Sequence, residues 1–213
     1  MKKTIIVAIF FIVASFVAGV FLYPQLPSQM ASHWNFQNEV DGYMGKFWGA
    51  FLMPLAAIGM LLLFILIPKI DPLRENIEKF RKHFDRFIVL TVVFLLYIHL
   101  LSILWNLGYE FNMGRMMVPG LGILFYFCGI LVENAKKNWF VGIRTPWTLS
   151  SDLVWEKTHK LGGKLFKISG AIVFLGVFFP ENALVFSIIP VFFAAIFIVV
   201  YSYLVYRKEK KIA

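Results

Sequence analysis

Six apolar stretches cut this 213-residue chain: Thr4–Tyr23, Phe47–Ile67, Phe87–Leu107, Met116–Val132, Ile168–Pro180 and Asn182–Tyr206. Its basic residues respect the cuts. Threaded alternately across a bilayer, the stretches leave only Lys46 and Arg115, of 21 Lys and Arg, on one side. The others gather opposite: Lys2 and Lys3, Lys69 to Arg86, Lys136 to Lys167, and Arg207 to Lys211. Positive charge flanking a span marks the side that stays in the cytoplasm. Hydrocarbon also admits only segments that satisfy their own backbone hydrogen bonds. The pattern therefore predicts an all-α, polytopic membrane protein in the cell membrane, a single membrane domain with six transmembrane helices and both termini inside. Helices are expected over about 4–23, 47–67, 87–107, 115–133, 163–180 and 182–206, with an outer loop at 24–46 and inner loops at 68–86 and 134–162.

Composition supports this class. A chain that is 60% hydrophobic and 15% charged lies outside the range of soluble domains. The fifth stretch is short for a span, so Lys164 and Lys167 must lay their stems along it and snorkel their ammonium groups to the headgroups. A net charge of +9 suggests a nucleic-acid footprint at first sight. Its placement beside span ends instead points to topology and anionic lipid, so the bilayer is the expected partner and no direct nucleic-acid contact is expected. All six Trp fall at or beyond span ends, as amphipathic rings at an interface do. Cys128 stands alone, which leaves no disulfide framework and no thiolate metal cluster. The first stretch is long for a cleavable signal and is expected to be retained.

Three groups of residues are candidates for function. The outer loop carries His33, Trp34, Asn35, Glu39, Asp41 and Gly42, with Asp41-Gly42 expected as its turn. His33, Glu39 and Asp41 lack a metal-ligand spacing, so no metal or other cofactor is expected. Span three sets Thr91, Leu95, His99, Ser102 and Asn106 on one helix face. Polar groups at that depth need partners, and the choice lies between function and interhelical glue. The second inner loop reads Asn138-Trp-Phe-Val-Gly-Ile-Arg144-Thr145-Pro146-Trp147-Thr148-Leu-Ser150-Ser151, then Asp152 to Gly163. Ser150 or Ser151 is the expected N-cap of a short interfacial helix that stops at Gly162-Gly163. Trp155 and His159 share one face of it, and Glu156 with His159 is a candidate acid–base pair, with no nucleophile or metal motif nearby. In the first inner loop, Ile77, Phe80 and Phe84 recur at helical spacing, suggesting a helix lying along the membrane or packed on a neighbour.

Taken together, the outer His33-Trp-Asn-Phe-Gln-Asn-Glu-Val-Asp-Gly-Tyr43 and the inner segment from Asn138 to Gly163 resemble the bacterial SdpI family, membrane immunity proteins against the sporulation-delay cannibalism toxin. The resemblance implies a non-enzymatic protein that protects its producer from an extracellular peptide toxin. In the best-known system it also senses the toxin and holds a cytoplasmic helix-turn-helix repressor at the membrane. On that reading His33, Trp34, Asn35, Asp41 and Gly42 face the toxin. Arg144, Thr145, Pro146, Trp147, Ser150, Trp155 and His159 face the cytoplasmic partner, and His99, Ser102 and Asn106 form an intramembrane polar group. The chain departs from the family's outer motif at Ala31, where Pro is usual, and at Asn38, where Gly is usual. Asn tolerates positive φ, so the turn at Asn38 is expected to survive, whereas Ala31 is expected to loosen the loop. The alternatives in other classes are a small membrane transporter and a lipid- or peptide-handling membrane enzyme.

Overall fold

The computed structural model describes residues 2–212. In chain order the elements are α1 (Lys2–Leu22), β1 (Gln29–Trp34), β2 (Val40–Gly45), α2 (Lys46–Ile70), α3 (Arg74–Lys79), α4 (Arg81–Asn106), α5 (Met113–Asn134), α6 (Pro146–Ser150), α7 (Asp152–Leu175) and α8 (Ala183–Ile212). Six of them, α1, α2, α4, α5, α7 and α8, are long and apolar enough to cross a membrane. Their surfaces suit lipid: Phe21 of α1 and Phe192 of α8 are 76% and 64% exposed. One end of the bundle carries the β1–β2 hairpin and the α4–α5 and α7–α8 turns. The other carries Lys2 and Lys3, α3, the segment 135–151 and the end of α8. These are called the hairpin end and the basic end.

Lipid tails are as apolar as the helices, so association must come from close packing and polar ties. The tightest contact is between α5 and α7. Gly122 and Gly129 on one helix meet Gly170 and Gly163 on the other. A β-carbon built on Gly129 would stand 2.6 Å from the Gly163 carbonyl oxygen, and one on Gly170 would stand 2.7 Å from that of Gly122. The two backbones therefore touch with no side chain between them. Lys167 Nζ closes the same seam with a 2.7 Å bond to Glu133 Oε2, and Ser169 Oγ donates to the Pro190 carbonyl of α8 at 3.0 Å. In the other half, α1, α2 and α4 share a core of Ala8, Ala57, Phe64, Phe84 and Val92. Ile77 and Phe80, also buried in it, seat α3 beneath the bundle.

Several expectations change. The helix break at Gly162-Gly163 is absent: α7 runs unbroken from Asp152, and so extends well into the segment expected as an inner loop. Neither glycine has positive φ. Gly163 faces Gly129 and Glu133, and Gly162 faces Ile143, so the pair serves close approach rather than a C-cap. Ser151 is the N-cap, its Oγ accepting from Val154 N at 3.2 Å. The surface helix expected in the loop 68–86 is only the short α3, because from Arg81 the chain already belongs to α4.

The outer loop holds a two-stranded antiparallel hairpin, with Met30 opposite Met44 and Ala31 opposite Tyr43. Its turn is at 35–39 rather than at Asp41-Gly42, which lie in β2. Asn35 Oδ1 accepts from Gln37 N and Glu39 N, at 3.0 and 2.9 Å, and fixes that turn. Asn38 adopts φ 65°, as its identity allows. Ala31 does not loosen the loop. Its N–H donates to Asn106 Oδ1 at 2.8 Å, a bond proline has no hydrogen to make, and its carbonyl accepts from Asn106 Nδ2 at 3.0 Å.

Candidate functional site

Two places concentrate the polar chemistry, one at each end. At the hairpin end a cleft of about 420 Å³ lies under the hairpin, with α4 behind it and α2 and α5 at its sides. The volume is in the range of small-ligand sites. His33, Trp34 and Asn35 line its mouth, and Ser102 and His99 its depth. Four of the chain's eight methionines, Met44, Met53, Met113 and Met117, supply much of the remaining wall. Methionine is flexible and polarizable, and suits surfaces that must adapt to what they bind.

Local bonds explain how the roof is held. Asn106, on the last turn of α4, grips Ala31 through both amide atoms. Asn38 Oδ1 accepts from Met113 N at 2.6 Å and so fastens the turn to the start of α5. Met30 packs over Gly49, where a β-carbon would come within 2.8 Å of Met30 Cβ. Trp34 lies edge-on to Trp105 of α4, with ring centroids 5.5 Å apart.

The outer candidates separate on this geometry. His33 Nδ1 pairs with Asp41 Oδ1, and both side chains are open to solvent. Gly42 sits under the His33 side chain, where a β-carbon would come 2.9 Å from His33 Cβ. Asp41 and Gly42 thus support His33, whereas His33, Trp34 and Asn35 reach the cleft. Glu39 bonds to Asn35 Nδ2 at 3.1 Å. Among the described residues no three His, Cys, Asp or Glu come together as a metal site.

The polar face of α4 also divides. Asn106 is glue, and Thr91 Oγ1 bonds the Phe87 carbonyl of its own helix at 2.9 Å. His99 is 4% exposed, and its Nδ1 finds no hydrogen-bond partner among the described residues. Trp34 Nε1 is likewise buried and unpartnered. Both residues line the cleft.

At the basic end the segment 135–151 is folded onto α7 by bonds to its own backbone. Asn138 Oδ1 accepts from Phe140 N and Val141 N at 2.9 and 2.6 Å, while Nδ2 donates to the Lys136 and Val141 carbonyls. Asp71 Oδ2 accepts from Trp139 N at 2.9 Å. Trp155 Nε1 donates to the Ala135 carbonyl at 2.9 Å, and His159 stacks on that indole with centroids 3.9 Å apart. His159 Nδ1 faces the Trp155 carbonyl at 2.9 Å, and Nε2 accepts from Ile143 N at 3.0 Å. These partners fix the Nδ1–H tautomer. Gly142, at φ 116°, passes so close to His159 Nε2 that no other residue fits.

The inner candidates sort accordingly. Thr145, Trp155 and His159 are buried. Thr145 caps α6 in a box with Thr148 and reaches Ser202 of α8 at 3.1 Å. His159 is not on an exposed helix face and has both nitrogens engaged, so the Glu156–His159 acid–base pair does not form. Trp147 leans on Tyr203 of α8. Arg144, Pro146 and Ser150 remain exposed. Arg144 Nη1 donates to the Trp139 carbonyl at 2.6 Å, which ties the guanidinium to the backbone of a residue whose side chain is exposed. A second opening of about 680 Å³ lies next to this segment, with Lys79, Lys136, Lys160 and Glu156 at its rim.

The methionines, Trp48 and Leu52 were not legible as site residues. The only signal was spacing: Met113 with Met117, and Trp48 with Leu52, each share a helix face.

Comparison with known proteins divides at the same two places. Residues 10–58, covering most of α1, the hairpin and the first half of α2, match the model of a domain of unknown function, DUF1648. Residues 134–202, covering the folded segment, α6, α7 and most of α8, match the SdpI/YfhL protein family. Along its whole length the chain is similar to "Immunity protein SdpI" of Bacillus subtilis (strain 168), with 29% identity over 209 residues and 98% of each chain covered. No solved structure matches. Six apolar helices and an end-to-end relative agree that the chain is a multi-pass protein of the cell membrane, and its basic-end segment is similar to the SdpI/YfhL protein family.

Proposed function

We propose that this chain is a membrane immunity protein that protects its cell from an extracellular peptide toxin, with the hairpin end outside and the basic end in the cytoplasm. The observation that carries this reading is the similarity to an immunity protein over 98% of both chains, hairpin and basic-end segment included. The sidedness rests on charge, since only Lys46 and Arg115 of the 21 basic residues lie toward the hairpin end. The role is binding rather than catalysis: His159, which the sequence sets three residues from Glu156, has both ring nitrogens engaged with backbone.

Sensing belongs to the opposite face. Arg144, Pro146 and Trp139 form an exposed cationic and aromatic surface, the residue types that anchor interfaces. A cytoplasmic helix-turn-helix repressor docks there when toxin is present. Trp155 and His159 act only by shaping that surface from beneath.

The test uses a Bacillus subtilis strain lacking its own SdpI, challenged with spent medium of strain 168. Expression of this chain is expected to restore growth. No protection at normal membrane levels refutes the immunity reading. For sensing, Arg144→Ala with Trp139→Ala is expected to abolish membrane recruitment of the repressor and leave growth protected. Loss of both outputs together at normal protein levels refutes the division between the two faces.

A further inference from the structure

We propose that the cleft beneath the hairpin receives an apolar peptide segment, with Trp34 Nε1–H and His99 as the polar anchors for its backbone. This rests on the immunity reading above and moves recognition from the exposed face of the hairpin to a site within the bundle.

The argument begins with the two partnerless groups. A buried polar atom without a hydrogen bond costs about 1–3 kcal/mol. His99 is 4% exposed, lines the cleft, and leaves Nδ1 unsatisfied. Trp34 also lines it, and its buried Nε1 is a donor only and has no acceptor among the described residues. Neither group is used by the fold, in contrast to Asn106, Asn138 and His159, whose polar atoms all are.

The two anchors lie at different depths. Trp34 packs on Trp105, and His99 is six residues earlier on the same helix, which is about 9 Å along its axis. An acyl chain has no polar atom at that distance below its ester and would leave His99 and Ser102 unmet. A peptide segment carries a carbonyl at every residue. Its apolar side chains would meet Met44, Met53, Met113 and Met117, which can repack around more than one sequence. The His99 ring also borders a smaller space against α1, where Ser15 Oγ is unpartnered, so that side provides an internal control.

The experiment compares variants of the full chain in the SdpI-lacking strain, challenged with spent medium of strain 168. His99→Leu removes a polar anchor at similar volume, and Met117→Trp fills the cleft. Each is expected to lower the tolerated dose about tenfold, the size of one net hydrogen bond. Membrane level and melting temperature are expected to be unchanged or, for His99→Leu, raised. A merely structural histidine would lower both. Ser15→Ala is expected to protect like the parent chain. Full protection by His99→Leu and by Met117→Trp overturns the proposal while leaving the immunity reading intact. Failure of the parent chain to protect removes the reading beneath it and the proposal with it. Lipid found by native mass spectrometry in the parent chain and lost in Met117→Trp, with protection unchanged, assigns the cleft to an acyl chain and overturns the proposal.

Discussion

One added methyl group tests how the bundle is held. In Gly170→Ala the new β-carbon would stand 2.5 Å from Tyr126 N and 2.7 Å from Gly122 O. Both are backbone atoms, which no rotamer change can move aside. Ordinary contact for a β-carbon is 3.4–4 Å, so α5 and α7 must part by roughly 1 Å, enough to forfeit a quarter to a half of the dispersion energy along the seam. Overpacking of this kind costs about 1–3 kcal/mol. The same substitution at Gly59, exposed on α2 with nothing within 4 Å, relieves only the helix penalty of glycine and is worth about 0.5–1 kcal/mol in the stabilising direction. The assay is thermal unfolding of detergent-purified protein, followed by the fraction surviving size-exclusion chromatography. Gly170→Ala is expected to melt below the parent chain and Gly59→Ala at or above it. Gly129→Ala added to Gly170→Ala is expected to cost less than the sum, because helices already parted accept a second methyl more readily. Equal melting of Gly170→Ala and the parent chain, or strict additivity of the pair, refutes a seam set by backbone contact.

Three further outcomes follow from the polar ties. Asn106→Leu strands both main-chain groups of Ala31, at about 1–3 kcal/mol for each buried group; hydrogen exchange over residues 29–34 should rise while α7 stays protected. Gly142→Ala forces a left-handed conformation costing about 1–3 kcal/mol and collides with His159, so membrane accumulation should fall sharply, whereas Gly45→Ala, with open space around it, should accumulate normally. Glu133→Gln removes the charge from the bond that Lys167 donates, and both side chains are about a quarter to a third exposed, so the loss in melting should be small, under about 1 kcal/mol.

The spans were legible because transfer into hydrocarbon depends on local composition, which a single stretch carries by itself. The turn residue Asn38 was legible for a similar reason: tolerance of positive φ belongs to the residue. What depends on a distant partner was not. The strand Gln29–Trp34 has no β-branched residue, and it exists as a strand because Asn106 and Gly49 receive it. Gly162-Gly163 advertises either a helix stop or a close approach, and only Gly129 and Ile143, far away in sequence, decide between them. Trp155 and His159 were correctly set on one face, but burial turns on Ala135, Gly142 and Ile143 folding back over it. The cleft is assembled from the hairpin and three helices, so no sequence window contains it.

Everything proposed for the two ends depends on which side of the membrane each one faces. The direct measurement is cysteine accessibility in a Cys128→Ser background, with Gln37→Cys in the hairpin turn and Ser150→Cys at the end of α6, both exposed positions. A membrane-impermeant maleimide is expected to label Gln37→Cys in intact cells and Ser150→Cys only after permeabilisation. Labelling of Ser150→Cys in intact cells, with Gln37→Cys protected until the membrane is opened, contradicts the orientation and with it a hairpin that meets an extracellular toxin.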